Sequence, residues 1–438
     1  MRLWRVVTLV LAAAAAGAPL RGDTITVCPS GCDTFSIAHA ESLANEGDTI
    51  QLSEDTFQEN GIVFYKSVTI QGTGTGTEVH GDGEPRDTVF RVFQGSTVTF
   101  RNLAIRFGHA TFGGGLEVEA GATARLVDVR VESSVAVSGG GIHNAGHLEL
   151  VRTLFKYNSA TLGGAVYSAP GSTLSMRRTR VTENQNQGIG LAMGAGVLLD
   201  GATGRIEEST IDLNRARDYG GGAAICGAGA VDIVSSTVSG NDTWGSGGGI
   251  HVCGGSVVRL SSSTVTLNAA DIDHDFDGSG GGISGPVELT GTIVAGNFDD
   301  PWGNVFAVTA PDCFGPTTSH GYNVIGTLGT DVLGGSAPCG LIGDTTGNHV
   351  PADPQLGALA DNGGATPTHA LLPGSPARDQ GDPGGCRDPQ GDILERDQRR
   401  APRVGRCDLG AFEGGAEAPL FYSGFESGGL LAWSASRP

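Results

Sequence analysis

The stretch from Ser209 to Ile283 states one short pattern three times. It reads STIDLN followed by GGAAI, then STVSGN followed by GGGI, then STVTLN followed by GGGI. The asparagines of the three copies, Asn214, Asn241 and Asn268, are 27 residues apart in both steps. Self-similarity at a period of roughly 20 to 50 residues is typical of proteins built from stacked repeats. The stretch therefore predicts a solenoid.

The segments inside each repeat are short, rich in β-branched residues and bounded by glycine, and they carry no apolar stripe at helical spacing. This combination predicts an all-β fold, a right-handed single-stranded parallel β-helix in which each repeat forms one turn. Each strand would pair with the same strand of the next turn, about 4.8 Å away. Because one turn cannot bury its own apolar side, its neighbours must cover it.

A Ser or Thr, an apolar residue two places on and an Asn five places on recur six times along the chain. At equal positions on successive turns, the side-chain amides of these asparagines can hydrogen-bond to one another, as they do in stacked β fibrils. We expect a structural rather than a catalytic ladder, made of Asn158, Asn184, Asn214, Asn241, Asn268 and Asn297.

Composition divides the chain into four segments. Residues 1–22 begin with Arg2 and Arg5, which are followed by an apolar run and a small-residue cleavage site, the pattern of a secretory signal peptide. Residues 23–300 hold the predicted β-helix, with a short capping helix between Phe35 and Asn45, where apolar residues recur at helical spacing. Residues 301–413, rich in Gly and Pro, predict irregular turns that close the C-terminal end of the coil, and residues 414–438 form a linker and tail.

The charge of the chain limits its partners. The net charge is −20, and Lys66 and Lys156 are the only lysines. Binding to nucleic acid requires clustered Lys and Arg, so no nucleic-acid partner is expected. Beyond the signal-like N-terminus no run of about 18 apolar residues occurs, so no transmembrane segment is expected either.

Eight cysteines in a chain with a signal-like start predict disulfides. Sequence proximity suggests the pairs Cys28 with Cys32, Cys313 with Cys339, and Cys386 with Cys407. Cys226 and Cys253 fall on consecutive turns, but aligning the two glycine clusters by their aliphatic residue puts them two positions out of register. Their Cα atoms would then lie roughly 8 Å apart, beyond the usual ~4.4–6.8 Å. This bridge is expected only if a bulge closes the offset.

Two parts of the chain resemble known families. Phe155-Lys156-Tyr157-Asn158 and Gly163-Gly164-Ala165-Val166 are similar to the repeats of chlamydial polymorphic outer-membrane proteins and related bacterial β-helix surface proteins, over roughly Gly113 to Asn297. The segments GYNVIG, DPQLG and CDLGAFE, between Gly321 and Glu413, resemble the C-terminal region called choice-of-anchor Q. Both resemblances imply a protein that is secreted or held at the cell surface of a Gram-negative bacterium, and neither implies a reaction.

A candidate binding surface follows from the repeat. The residue after the aliphatic residue of each glycine cluster should point outward, which gives a column that also contains Leu198, Cys226 and Ser284. Its polar members are Glu117, His143, Tyr167 and His251. An acid, an imidazole and a phenol side by side could bind sugar or perform general acid–base chemistry. The alternative is a mixed polar surface without a ligand.

A candidate calcium site lies in the acidic run Asp271, Asp273, Asp275 and Asp277, followed by Gly278. Alternate carboxylates before a glycine are the start of a calcium-binding loop. The glutamate expected at position twelve of such a loop is replaced by Ser284. The alternative is an acidic loop in water. Calcium is the only cofactor the sequence suggests.

Three functions remain open from the sequence. The first is a secreted or cell-surface protein that adheres without catalysis, with a polysaccharide, a cell-surface glycan or a host or neighbouring protein as its partner. The second is a carbohydrate-active enzyme of pectate-lyase-like fold, a lyase or hydrolase, which would need two facing carboxylates or a positioned basic residue. The third is a structural spacer. No catalytic residue can be assigned, since the N-T-D, D-D and G-H-G run of polygalacturonases is missing.

Overall fold

The computed structural model describes residues 22–74, 76–83, 85–186, 188, 191–273, 278–299, 311–329 and 339–416. These residues form a parallel β-solenoid of about 11 turns. The predicted all-β class, the parallel β-helix and the presence of a short helix are confirmed. Residues 1–21, which include nearly all of the predicted signal peptide, and residues 417–438 of the predicted tail lie outside the described residues.

Each regular turn passes through four parallel sheets, numbered here in the order in which the chain meets them. Sheet 1 consists of Thr24–Val27, Thr49–Leu52, Thr69–Gln71, Thr97–Arg101, Thr123–Val127, His147–Val151, Thr173–Arg177, Thr203–Glu207, Ala230–Val234, Val257–Ser261, Val287–Thr290, Cys313–His320 and Cys339–Asp344. Sheet 2 consists of Thr56–Gln58, Glu78–His80, Ala104–Arg106, Arg130–Glu132, Leu154–Lys156, Arg180–Thr182, Thr210–Asp212, Thr237–Ser239, Thr264–Thr266, Ile293–Val294 and Val324–Ile325.

The other two sheets complete the turn. Sheet 3 consists of His109–Phe112, Val135–Ser138, Ser159–Ala160, Gln185–Asn186, Arg215–Ala216, Asp242–Thr243, Ala269–Ala270 and Phe298–Asp299. Sheet 4 consists of Ile62–Phe64, Phe90–Val92, Leu116–Val118, Ile142–Asn144, Val166–Ser168, Val197–Asp200, Ala223–Cys226, Ile250–Val252 and Ile283–Ser284. The long strand Cys313–His320 pairs with the last strands of both sheet 4 and sheet 1, so it joins the two.

The core runs along the inside of the coil. In the N-terminal turns Phe64, Phe90 and Phe100 are fully buried, and their ring centroids lie 5.1–5.9 Å apart. Later turns use Val, Ile and Leu at the same inward positions, because a strand exposes every second side chain to each face. Burial of these side chains contributes roughly 25 cal/mol per Å² of apolar surface and stabilises each turn only against its neighbours.

The six asparagines stack one above another at a corner of the coil. In each step the Nδ2 of one asparagine donates to the Oδ1 of the next at 2.9–3.0 Å, and that Oδ1 also accepts from the backbone N–H of the first. The ladder ends at Asp312, whose Oδ1 accepts from Nδ2 of Asn297 at 2.9 Å. Every side-chain amide of the ladder is therefore buried and hydrogen-bonded to the turns on both sides.

The helix Ile37–Leu43 covers the first turn. It is shorter than the predicted span of Phe35 to Asn45, because Ser36 caps it and accepts a hydrogen bond from the N–H of His39. Glu59 accepts from the N–H of Ile37 at 2.8 Å and thereby ties the helix start to the coil.

Residues 354–413 fold back along the outer face of sheet 2, while Leu328, Leu341 and Val350 of the same predicted segment pack against the core. That the irregular turns of this segment close the end of the coil stays a prediction. Thr237 Oγ1 donates to Gln398 Oε1 at 2.6 Å, and Ser239 Oγ lies 2.8 Å from His369 Nε2. The short antiparallel pair Leu356–Ala360 and Thr368–Leu371 lies in this segment. The outward residues of sheet 2 are small and hydroxylated here, which lets a second layer approach closely.

Four disulfides are present, between Cys28 and Cys32, Cys226 and Cys253, Cys313 and Cys339, and Cys386 and Cys407. The predicted offset between Cys226 and Cys253 was wrong, since their Cα atoms are 4.6 Å apart and no bulge is needed. The register explains the error: Ala223, not Ile225, pairs with Ile250. Alanine occupies the inward position that an aliphatic residue takes in the other turns.

Among the described residues, no helix has the length and apolar character needed to cross a membrane.

Candidate functional site

Sheet 4 presents one outward side chain per turn, at a spacing of about 4.8 Å. We call this column the strip; it consists of Glu117, His143, Tyr167, Leu198, Ala224, His251 and Ser284. Glu117, His143 and Tyr167 are register neighbours, and His251 lies three turns beyond Tyr167. Ala224 takes the place predicted for Cys226, because of the same register error at Ala223.

The acidic end of the strip is already paired. Arg91, one turn before Glu117, places its Nε 2.7 Å from Glu117 Oε2. Burial raises the pKa of the Glu117 carboxyl, and the guanidinium of Arg91 opposes that rise. The pair therefore offers carboxylate oxygens to a ligand without presenting a free positive charge.

His143 lies between two aromatic rings. Its ring centroid is 4.9 Å from that of Phe112 and 5.2 Å from that of Tyr167, with the planes of His143 and Tyr167 inclined by 25°. Burial lowers the pKa of His143 to about 4, so the imidazole is neutral at pH 7. Within the described residues its buried Nδ1 has no hydrogen-bond partner.

Tyr167 forms a hydrogen bond to Asp200, a residue outside the strip. Its hydroxyl donates to Asp200 Oδ2 at 3.2 Å. Burial, with Asp200 adding to it, raises the pKa of Tyr167 to about 12, so the phenol stays neutral at physiological pH. The ring presents a flat apolar face beside an imidazole and a carboxylate.

The middle of the strip is apolar, although it lies outside the coil. Leu198 and Ala224 are 2% and 0% exposed, and Met193 beside them is 8% exposed. Leu162 and Tyr219 pack against the same cluster. The cluster is covered by its neighbours, so a ligand could contact only its partly exposed rim, which includes Leu162, Tyr167 and Tyr219.

His251 repeats the environment of His143 at the other end of the apolar cluster. Its ring centroid is 4.7 Å from that of Tyr219. Burial lowers the pKa of His251 to about 4, and in the described part of the chain its buried Nδ1 likewise has no partner. The two histidines are four turns apart, which places them about 19 Å apart along the coil.

Sequence reasoning missed the column beside the strip. This column holds the residue that directly precedes each glycine cluster, namely Phe112, Ser138, Leu162, Met193, Tyr219 and Ser246. The signal was regular, since each of these residues stands immediately before a Gly. Arg91 and Asp200 were also missed, and only the register of the turns brings them to the strip.

A second outward column, on sheet 1, serves as a contrast. We call it the charged column; it consists of Arg125, Glu149, Ser175, Arg205, Asp232, Arg259 and Glu288. Arg125 Nε lies 3.2 Å from Glu149 Oε2, and Arg259 Nε lies 2.7 Å from Asp232 Oδ1. Opposite charges on successive turns thus satisfy one another.

Only part of the predicted calcium site lies within the described residues. Asp271 is buried and Asp273 is exposed, while Asp275 and Asp277 lie outside the described residues. In the ranges that the structure covers, no group of three or more His, Cys, Asp or Glu side chains could hold a metal ion. Calcium binding by this loop stays a prediction.

In comparisons with known proteins, neither a family model nor a curated protein matches the chain.

Proposed function

We propose that this protein is a secreted β-solenoid that binds neutral glycan chains along the strip without catalysis. One observation carries the proposal. Two partly exposed neutral imidazoles, those of His143 and His251, stand at the two ends of an apolar and aromatic cluster. An extended ligand that lies along the coil could contact both.

The chemistry of the strip suits a sugar. A sugar ring has C–H groups on its faces and hydroxyl groups at its edge, so it packs on aromatic rings while it exchanges hydrogen bonds with polar groups around them. Phe112, Tyr167 and Tyr219 supply rings, and the imidazoles, Glu117 and Asp200 supply donors and acceptors. Ligand sites commonly combine apolar surface with a few placed polar groups.

Charge favours a neutral glycan over an acidic one. The chain carries a net charge of −20, and the strip has carboxylates and neutral imidazoles. Arg91 is paired with Glu117. A uronic-acid polymer would be repelled by the long-range field and would find little positive charge along the strip. This weighs against the alternative, a lyase or hydrolase of acidic polysaccharide.

Placement outside the cytosol is part of the proposal. The four disulfides are compatible with an extracellular or periplasmic protein, because such bonds persist in oxidising compartments. The signal-like residues 1–22 and the resemblance to bacterial surface proteins support secretion. Retention at the surface of a Gram-negative cell is the corresponding hypothesis.

A binding assay with three polymers tests the proposal. Titration calorimetry would compare a neutral mannan and a neutral β-glucan with polygalacturonate. We expect binding to at least one neutral polymer, weakened about tenfold or more by His143→Ala or Tyr167→Ala, a loss of about 1.4 kcal/mol. Glu149→Ala in the charged column is the matched control and should change the affinity less than about twofold.

The proposal is contradicted if neither neutral polymer binds, or if the strip variants bind as well as the control. Release of new reducing ends from any polymer would instead support the enzyme alternative.

A further inference from the structure

A cleft of about 470 Å³ lies between sheet 1 and the C-terminal loop 382–391, on a different sheet from the strip. Its floor is formed by outward residues of adjacent turns, among them Ser261, Thr290 and His320. The loop forms the opposite wall. The volume falls within the ~300–1,000 Å³ typical of small-molecule sites.

The wall of the cleft is held in place by covalent and polar bonds. Cys386 is bonded to Cys407, and Asp388 Oδ2 lies 2.9 Å from Arg205 Nη2. Gln390 accepts from Arg205 Nη1 at 2.7 Å and donates to Asp232 Oδ2 at 2.7 Å. A wall fixed in this way keeps the cleft open before a ligand arrives, which reduces the entropy lost on binding.

Two partly exposed side chains with hydroxyl groups, Thr290 and Tyr322, line the cleft, and the ring of Tyr322 adds apolar surface. Ser261 and Ser262 also border the cleft, but they are 2% and 1% exposed and offer almost no surface to a ligand. The accessible lining therefore combines two hydroxyl groups with one aromatic ring.

The charged groups of the cleft have partners within the protein. Arg259 is paired with Asp232, Asp388 with Arg205, and His320 Nε2 lies 3.1 Å from Glu288 Oε2. Asp382 accepts from the N–H of Gly384 at 2.7 Å, and Arg387 donates to the carbonyl of Gly391 at 2.7 Å. A ligand that brings a net charge would have to compete with these bonds, whereas a neutral ligand would not.

From this geometry we infer that the cleft binds a neutral sugar of one or two rings, either free or as the end of a glycan. The ligand's hydroxyls exchange hydrogen bonds with Thr290 and Tyr322, and with the outer edge of the Glu288–His320 pair. The inference is independent of the strip, because it uses other residues on another sheet.

Saturation-transfer NMR and calorimetry on the full disulfide-bonded chain test the inference. The probes are glucose, galactose, N-acetylglucosamine, maltose and cellobiose, with glucuronate and glucosamine as charged counterparts. We expect at least one neutral sugar to bind and the charged ones to bind more weakly. Thr290→Trp fills the cleft and should weaken binding about tenfold or more, since it removes the volume the ligand occupies.

Thr99→Trp is the matched control, because Thr99 stands in register with the charged column of sheet 1, six turns before Arg259 and outside the cleft, and should leave binding unchanged. If Thr290→Trp fails to fold, the exposed Glu288–His320 pair allows a second test, in which Glu288→Gln and His320→Ala should each weaken binding. Tyr167→Ala in the strip should have no effect on these small sugars. The inference is overturned if no neutral sugar binds, if only a charged sugar binds, or if the cleft variants match the control.

Discussion

The charged column on sheet 1 and the strip on sheet 4 are built on the same repeat, but the first carries paired charged side chains and the second carries mostly neutral and aromatic ones. Both place one outward side chain on each turn, at a spacing of about 4.8 Å. In the charged column, Asp232 forms an ion pair with Arg259, and Arg125 forms one with Glu149, so these charges are neutralised within the protein. In the strip, imidazoles stack on aromatic rings, and within the described residues their Nδ1 atoms have no partner. A solenoid fixes the spacing of surface groups, and the residue types in each column decide whether a ligand has anything to bind.

The largest difference between the two columns is expected in stability. Leu198→Ala in the strip should lower the free energy of unfolding by about 2–4 kcal/mol, because it opens a cavity in a buried apolar cluster. Arg125→Ala in the charged column should lower it by less than about 1 kcal/mol, because the pair with Glu149 is exposed. Urea unfolding at neutral pH measures both. Equal losses would mean that the strip is no better packed than an ordinary surface.

Acid should affect the strip more than the charged column. The folded-state pKa values of His143 and His251 are about 4, whereas an unfolded histidine titrates near 6.5. As pH falls from about 6.5 towards 4, the unfolded chain takes up protons that the folded chain does not, so the free energy of unfolding falls. Each histidine should contribute a loss on the order of 1–3 kcal/mol, reduced by its partial exposure to solvent.

The test compares wild type with the double variant His143→Gln and His251→Gln. Its free energy of unfolding should decline less between about pH 7 and pH 4.5 than that of wild type. His147→Gln on sheet 1 is the control variant and should follow wild type. Identical pH profiles for all three proteins would show that the imidazoles are not held neutral by burial.

Salt should change the pairwise coupling energy in the charged column but not in the strip, and this is the smallest of the expected differences. A double-mutant cycle on Arg125 and Glu149 should give a coupling of about 0.2–1 kcal/mol that shrinks in about 0.5 M NaCl, because exposed charges are screened. The same cycle on His143 and Tyr167 should give about 0.5–1.5 kcal/mol and be insensitive to salt, since stacked neutral rings do not depend on screening. A salt-sensitive coupling in the strip would indicate a charged imidazole.

The repeat carried enough information to predict the fold and much of the strip. The step between Asn241 and Asn268 defines one turn, and stacking then places His143 beside Tyr167. The predicted register was wrong at one place. Ala223 takes the inward position that the sequence pattern assigns to Ile225 when the glycine clusters are aligned by their bulky aliphatic residues. Alanine is small enough to fit there, so a rule based on aliphatic bulk shifted the alignment by two residues.

The C-terminal layer could not be predicted in the same way. Thr237 and Gln398 are separated by 161 residues, and no periodicity in the sequence connects them. The same holds for Arg205 and Asp388, whose ion pair fixes the loop that forms one wall of the cleft. Contacts between a repeat and an irregular segment depend on surface complementarity, which a single sequence does not reveal.

The central claim is that neutral glycan binds along the strip, and the histidine side chains report on it directly. In a chain with isotope-labelled imidazoles, titration with the neutral polymer that binds should shift the NMR signals of both His143 and His251 and leave that of His147 on sheet 1 unchanged. A shift of His147 without any change at His143 and His251 would contradict the account.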